Sequence, residues 1–136
     1  MLTVISRGSG GPSERSHGAY TGEIWREVMH RRDGTTVGKN FFTPCARTHW
    51  HSHEGGQILI VESGEGFVAD ADGITRIGIG DIVWTPPAVR HWHGGSHERS
   101  LLHTAISFGE VQWQEAVSLE QYESARQARW SATRQE

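Results

Sequence analysis

The sequence predicts an all-β domain, a sandwich or a barrel, and three observations lead to this prediction. Short apolar runs recur between residues 35 and 106 at roughly ten-residue spacing, with turn signals between them. The 136 residues include 17 glycines, many of them in pairs, as expected where short strands are joined by tight turns. Only the tail of the chain is rich in helix-forming residues.

The chain length fits one domain with its own core. We expect an N-terminal arm over about residues 1–19, a barrel over about 20–112 and a helix over about 118–130. The sequence Ser118-Leu-Glu-Gln121 can form a capping box at the start of that helix. The predicted strands are bounded by Gly, Pro and Asp turns and lie at 20–29, 36–43, 47–53, 57–62, 66–70, 74–77, 82–85, 89–93 and 100–108.

Composition excludes several classes of function. The formal net charge is −3, and acidic and basic residues are mixed along the chain, so nothing indicates binding to nucleic acid or to an anionic membrane. No apolar run has the length of a transmembrane helix, and no secretory signal is visible. Cys45 is the only cysteine and cannot form an internal disulfide, so we expect a cytoplasmic protein.

Histidines are clustered, which indicates metal or acid–base chemistry. Seven of the nine fall in two short stretches, as His49, His51, His53, His91, His93, His97 and His103. In a continuous strand alternate side chains share a face, so His49, His51 and His53 are expected to point the same way. Two imidazoles at this spacing can bind one metal ion. The alternative is an exposed polar strand face.

A polar residue and a second histidine complete a candidate ligand set. Gln57 follows the turn Glu54-Gly-Gly56 and opens an apolar strand, where its amide needs a partner, either a metal or the backbone. In the second stretch Pro86-Pro87 ends a strand, and the returning chain presents His91 and His93 on one face. His91 then gives three histidines and one glutamine. His93 either lines the pocket or is a hydrogen-bonded scaffold residue.

These two stretches resemble the two sequence motifs of the cupins. The first is His51-x-His53-x₃-Gln57-x₆-Gly64 and the second is Gly80-x₅-Pro86-x₄-His91. Gln57 stands where most cupins have glutamate, and Ala88 stands where the second motif usually has glycine.

The chain further resembles small bacterial cupins that include the manganese-dependent cupin hydroxynitrile lyases. The likeness rests on Arg47-Thr-x-Trp-His-x-His, Gln57-Ile-Leu-Ile-Val, Gly80-Asp-Ile-Val-Trp, His91-Trp-His-Gly and His103-x-Ala-Ile. It implies a jelly-roll barrel, a homodimer or larger homo-oligomer, and a metal at His51, His53, Gln57 and His91. Manganese is the metal it favours, and Fe, Zn or Ni are further candidates. His49 departs from the pattern, since a small residue is expected there.

The chemistry of the ligand set indicates a reaction class. Three neutral imidazoles and a neutral amide leave the double charge of the ion uncompensated, which makes it a strong Lewis acid. We therefore expect a metal-dependent lyase acting on a small carbonyl or hydroxy compound. The alternatives are a mononuclear iron dioxygenase on the same ligands and a non-catalytic cupin that binds a small molecule.

Two histidines outside the motifs are candidates for moving protons. His103 lies on a late strand next to small residues, and a histidine near a Lewis-acid metal suits a general acid or base. Its alternative is a histidine bonded inside the barrel. His49 is the second catalytic candidate. We expect Trp84, Trp92, Phe42 and Phe67 in the core or pocket wall, and Arg26, Arg31 and Arg32 on the solvated surface.

Overall fold

The structure is a computed structural model that describes residues 1–132, and it confirms the all-β prediction. One α-helix, α1 (Leu119–Ser124), continues into a 3-10 turn at Ala125–Gln127 in this part of the chain. The strands are β1 (Glu14–Arg15), β2 (Tyr20–Thr21), β3 (Ile24–Arg32), β4 (Thr35–Phe42), β5 (Arg47–Thr48), β6 (His51–His53), β7 (Gln57–Asp70), β8 (Gly73–Gly78), β9 (Ile82–Thr85), β10 (Trp92–Gly95), β11 (Leu101–Phe108), β12 (Val111–Trp113) and β13 (Arg129–Trp130).

The strands form a curled sheet with the order β1-β3-β4-β11-β7-β10-β5-β2. Strands β8 and β9 also pair with β7, and β12 pairs with β6 as a separate two-stranded ribbon. The β3–β4 hairpin turns at Asp33-Gly34, both with positive φ (52° and 77°), as a type I′ turn requires. This curling gives the sheet an inner face on which the candidate site lies.

Strand β7 holds the two halves of the sheet together. It was expected as two strands broken at residues 63–65, but it runs unbroken for 14 residues. Its first part pairs with β9 and β11, and its second part pairs with β8 and β10. Gly64 makes the passage possible, because it has φ +82° and a Cβ there would lie 1.9 Å from the Ser100 carbonyl oxygen.

The apolar core under α1 contains Trp50, Phe67, Trp92, Val117 and Tyr122. The predicted capping box is present, with the Ser118 hydroxyl and the Gln121 amide each bonded to the other's backbone N–H. The predicted helix to residue 130 is too long. Arg129 and Trp130 instead pair in parallel with the edge of β8, whose backbone groups offer hydrogen bonds there.

Two local features matter for the site. The predicted strand 47–53 is interrupted at residues 49 and 50, so its histidines do not follow simple alternation. In the loop after β9, Ala88 adopts a left-handed φ of 63°, and its N–H donates to the His53 carbonyl at 2.9 Å. Among the described residues, no helix has the length and apolar character needed to cross a membrane.

Candidate metal centre

The two histidine stretches meet through a backbone pair between His51 and His91. The N–H of each residue donates to the carbonyl of the other, both at 2.9 Å. Residues paired in this way in an antiparallel ladder present their side chains on the same face. The two rings accordingly lie 4.2 Å apart between centroids, and the His53 ring lies 5.1 Å from that of His51. The fold therefore brings together the histidines that the motifs predicted.

Gln57 enters the cluster through the sharp turn that precedes β7. Gly56 has φ +88°, and a Cβ there would lie 2.7 Å from the Thr85 carbonyl oxygen, so the turn requires glycine. The Gln57 amide nitrogen donates to the Ser107 hydroxyl at 3.0 Å. Its oxygen then faces Nε2 of His91 at 3.1 Å.

Backbone carbonyls contact Nδ1 of both His51 and His91. Nδ1 of His51 lies 2.8 Å from the His49 carbonyl, and Nδ1 of His91 lies 3.0 Å from the Val89 carbonyl. The His51 contact places the proton on Nδ1 and leaves a lone pair on Nε2. A neutral His91 ring carries one proton but faces two carbonyl oxygens, so with that proton on Nδ1 the Gln57 oxygen and Nε2 of His91 are two acceptors facing each other, an arrangement that a cation between them would stabilise.

Burial keeps these imidazoles neutral. It lowers the pKa of His51 well below its usual range, and the nearby His91 adds to this. Burial also lowers the pKa of His91. It lowers the pKa of His53 to about 4, with further contributions from His91 and Arg26. All three rings therefore offer lone pairs at neutral pH.

The donor set fits a divalent metal ion. Both ring nitrogens of His53 are buried and lack a hydrogen-bond partner, which is costly unless something else binds them. One ligand atom each from His51, His91 and His93 lies within 4.8 Å of the others, so these three histidines could hold an ion. Among the histidines, that set differs from the motif set by including His93 in place of His53. His51 and His91 belong to both.

His93 and His103 form a second buried imidazole pair. Nε2 of His103 lies 3.1 Å from Nδ1 of His93, and both residues are buried. Burial lowers the pKa of His103 to about 4 and that of His93 well below its usual range, so both rings are neutral. Nε2 of His93 has no partner among the described residues.

A cavity of about 1100 Å³ opens onto these groups, large enough for a small organic molecule. His51, His53, Gln57 and His93 line it. Trp113 also lines it, with its ring centroid 4.5 Å from that of His51 and 5.4 Å from that of Tyr20. Phe42 lies in the wall as expected. Trp92 and Phe67 lie in the core as expected.

Within residues 1–132 three candidates, His49, His91 and His103, do not line the cavity. His91 is buried beside His51 and Gln57. His49 lies in the interruption between β5 and β6, and its backbone carbonyl holds the His51 ring. His103 is fully buried and reaches the cavity only through His93.

Two surface assignments also change. Arg26 was expected at the surface, but it lies on the inner face of β3 and lines the cavity. Its register opposite Asn40 puts it there, and a one-residue change in strand register would have turned it outward. Trp84 was expected in the core or pocket wall, but it is 54% exposed on the outer face.

The fold and this site define a jelly-roll protein whose barrel interior holds a cluster of histidines that could bind a metal. The cupin domain family matches residues 42–103, the stretch that contains both histidine motifs. The structure is also similar to that of a cupin-like protein from Thermotoga maritima, at 38% identity and a TM-score of 0.76, covering 91% of this chain and 97% of the other. The chain belongs to the cupin family.

Two further relatives are informative. A curated relative named (R)-mandelonitrile lyase, from Granulicella tundricola, is 42% identical over 86 residues, which are 60% of this chain and 66% of that enzyme. The match therefore spans just under two thirds of the enzyme's length. A predicted oxalate decarboxylase from Thermotoga maritima is 21% identical with a TM-score of 0.70, covering 79% of this chain and 100% of the other, and shows the shared fold.

Proposed function

We propose that this protein is a metal-dependent lyase that acts on a small hydroxy or carbonyl compound. The observation that carries the proposal is a buried set of neutral donors with lone pairs free for an ion, facing a cavity of about 1100 Å³. The similarity to a mandelonitrile lyase supports cleavage of a cyanohydrin as one form of the reaction.

In this proposal the metal is held by His51, His53, Gln57 and His91. The contact between the Gln57 oxygen and Nε2 of His91 and the unpartnered nitrogens of His53 favour this set. A divalent ion held by these neutral ligands supplies Lewis acidity toward a substrate oxygen. Manganese is the favoured ion, and Fe, Zn and Ni suit imidazole ligands as well.

His93 and His103 provide the acid–base group. Because His93 lines the cavity and His103 lies behind it, we assign proton transfer to Nε2 of His93 and assign the positioning of its ring to His103. One proton is shared along the contact between Nε2 of His103 and Nδ1 of His93. When it resides on Nδ1 of His93, Nε2 of His93 has a lone pair and can accept a substrate proton.

Turnover assays with defined metals test the proposed reaction. Metal-free protein is reconstituted with Mn²⁺, Fe²⁺, Zn²⁺ or Ni²⁺ and given cyanohydrins, β-hydroxy carbonyl compounds or small keto acids. We expect cleavage without oxygen uptake. Turnover that occurs only with Fe²⁺ and consumes oxygen would instead establish the dioxygenase alternative, and no turnover with any substrate would favour a binding cupin.

Single variants test the roles of the histidines. His93→Ala and His103→Ala should lower turnover by roughly 10²–10⁴-fold and retain the metal. His53→Ala should lose the metal. His49→Ala should have a small effect, because the contact to His51 comes from a backbone carbonyl that alanine keeps. Metal loss in His93→Ala with retention in His53→Ala would show that His93 is a ligand and remove it as the base.

We also propose a homodimer or larger homo-oligomer. The outer face of β9 exposes Ile82 (68%) and Trp84 (54%), and Ile58 and Ile60 lie opposite them on β7. Contiguous apolar surface of this kind favours association. Sedimentation at micromolar concentration should give at least twice the chain mass, and Trp84→Glu should shift the protein toward monomer. A monomeric wild type would contradict this proposal.

A further inference from the structure

Arg26 is a charged residue on the inner face of the barrel. It pairs with Asn40 across β3 and β4, and Asn40 pairs with His103 across β4 and β11. Residues opposite each other in antiparallel strands share a face, so the three side chains form a row on the inner face of the sheet. Arg26 and Asn40 both line the cavity that contains the histidine cluster.

The guanidinium of Arg26 has no acidic partner. Among residues 1–132, none of the ion pairs and none of the side-chain hydrogen bonds includes Arg26, although Glu14 is its cross-strand neighbour on β1. The carboxylates that line the cavity, Glu54 and Glu110, are exposed at its rim. Arg26 is half-buried and has no ion pair among the described residues, so its guanidinium is available to a ligand that brings a negative charge into the cavity.

Arg26 shares the wall of one cavity with an aromatic pair and with the histidine cluster. The cavity that Arg26 lines is also lined by Tyr20, Trp113, His51 and His53. The ring centroid of Trp113 lies 5.4 Å from that of Tyr20 and 4.5 Å from that of His51. A ligand that the guanidinium binds in this cavity would therefore lie in the same space as the histidine cluster.

We infer that Arg26, with Asn40 beside it, binds a carboxylate of the substrate, so that the small compound cleaved at this site is a hydroxy acid or an oxo acid. This inference rests on the proposed lyase function. A planar guanidinium donates two parallel hydrogen bonds to a carboxylate, and the Asn40 amide can add a third. A neutral cyanohydrin offers no such anion.

The spacing of the strands suits a small substrate. Adjacent strands are about 4.8 Å apart, so the backbones of Arg26 and His103 are separated by about 10 Å across β4. The long side chain of Arg26 shortens that gap. A molecule with only a few carbon atoms can then reach from the guanidinium to Nε2 of His93.

Binding of a matched pair of ligands tests the inference independently of turnover. Mandelate and mandelamide have the same size and shape and differ in charge. The titration uses metal-free protein, in which no metal can attract the carboxylate. Calorimetry should show that mandelate binds about 10- to 100-fold more tightly than mandelamide, since a hydrogen bond to a charged group contributes that much binding free energy. Equal affinities, or no detectable binding of mandelate, would overturn the inference.

Variants assign the preference to Arg26. Arg26→Gln should reduce the preference for mandelate over mandelamide to about threefold or less. Asn40→Asp should do the same, because it places a negative charge beside the guanidinium. Arg32→Gln is the matched control, since it removes the same charge from an exposed arginine that pairs with Asp33 outside the cavity. Circular dichroism checks that each variant is folded. An unchanged preference in both folded variants contradicts the inference.

The two proposals can fail separately. If the protein shows no lyase turnover but its preference for mandelate depends on Arg26, the carboxylate site stands and the lyase function fails. If it cleaves neutral cyanohydrins and Arg26→Gln changes neither turnover nor the binding ratio, the lyase function stands and the carboxylate site is wrong. Metal content of Arg26→Gln should equal that of the wild type in either case.

Discussion

Two buried regions of the domain, the packed cluster under α1 and the histidine cluster inside the barrel, differ in how their polar atoms are bonded. Under α1, the Tyr122 hydroxyl donates to the Gly95 carbonyl at 2.6 Å, and Arg47 stacks 4.5 Å above the Tyr122 ring while donating to backbone carbonyls. In the histidine cluster, neither ring nitrogen of His53 has a partner, and the Gln57 oxygen faces Nε2 of His91. Under α1, Nε of Arg47 and Nε2 of His97 also lack hydrogen-bond partners among the described residues, but neither residue lines the cavity. The unpartnered nitrogens of His53 and His93 belong to residues that line one cavity, and this marks the place for a ligand.

The largest effect that separates the two regions is loss of the metal. His51→Ala should abolish stoichiometric binding of the metal. The His49 carbonyl fixes the tautomer of the His51 ring, so Nε2 of His51 offers a lone pair to the ion. The fold should survive, since the apolar cores of the domain do not depend on the metal. Elemental analysis measures the metal, and circular dichroism of the chelated wild type measures the fold. Unchanged metal in the variant would remove the assigned site.

The converse change is Phe67→Ala in the packed cluster under α1. Phe67 is fully buried in the cluster under α1, so the variant should lose about 3–5 kcal/mol of unfolding free energy through the cavity it leaves. Denaturant unfolding provides the measurement. Folded variant protein should still bind one metal per chain, and loss of the metal at temperatures where it remains folded would show that the two regions are coupled.

Acid should destabilise the metal-free protein through the histidine cluster. The unfolded chain protonates His103 near pH 6.5, but the folded protein does so only near pH 4 because burial lowers the pKa. The contribution of His103 is therefore fully present above pH 6.5 and is lost as the pH falls toward 4, on the order of 3 kcal/mol. Unfolding free energies at pH 7 and pH 4 should differ by at least this amount, because His53 and the other buried histidines with lowered pKa add to it. His103→Gln should lose less unfolding free energy between pH 7 and pH 4 than the wild type does. An equal loss in the variant would contradict the contribution assigned to His103.

Sequence patterns predicted the fold and the motif residues for a physical reason. Turn residues and alternating apolar runs are local signals, so the strands at 35–42, 82–85 and 101–108 lie within a residue of their predicted bounds. The histidine spacing likewise brought His51 and His91 into one cluster. Local signals do not show how long a strand continues past a glycine, and the single strand over residues 57–70 was therefore predicted as two.

The parts that were missed depend on register between distant strands. Arg26 faces the cavity because it is opposite Asn40, and nothing in its neighbouring sequence states that pairing. Trp113 lies over His51 because β12 pairs with β6, two elements separated by most of the barrel. The position of His103 behind His93 similarly follows from contacts between strands rather than from spacing along one of them.

The left-handed alanine in the loop before His91 has a consequence for mutational tolerance. Ala88 adopts a conformation that costs a residue with a Cβ about 1–2 kcal/mol, and glycine avoids this cost while losing about 0.5–1 kcal/mol through its more flexible unfolded chain. An A88G protein should therefore gain roughly 0.5–1 kcal/mol and keep the N–H that holds the His53 carbonyl. That background gives a wider margin for accumulating destabilising changes in the cavity, and it is the natural starting point for directing the site toward new substrates.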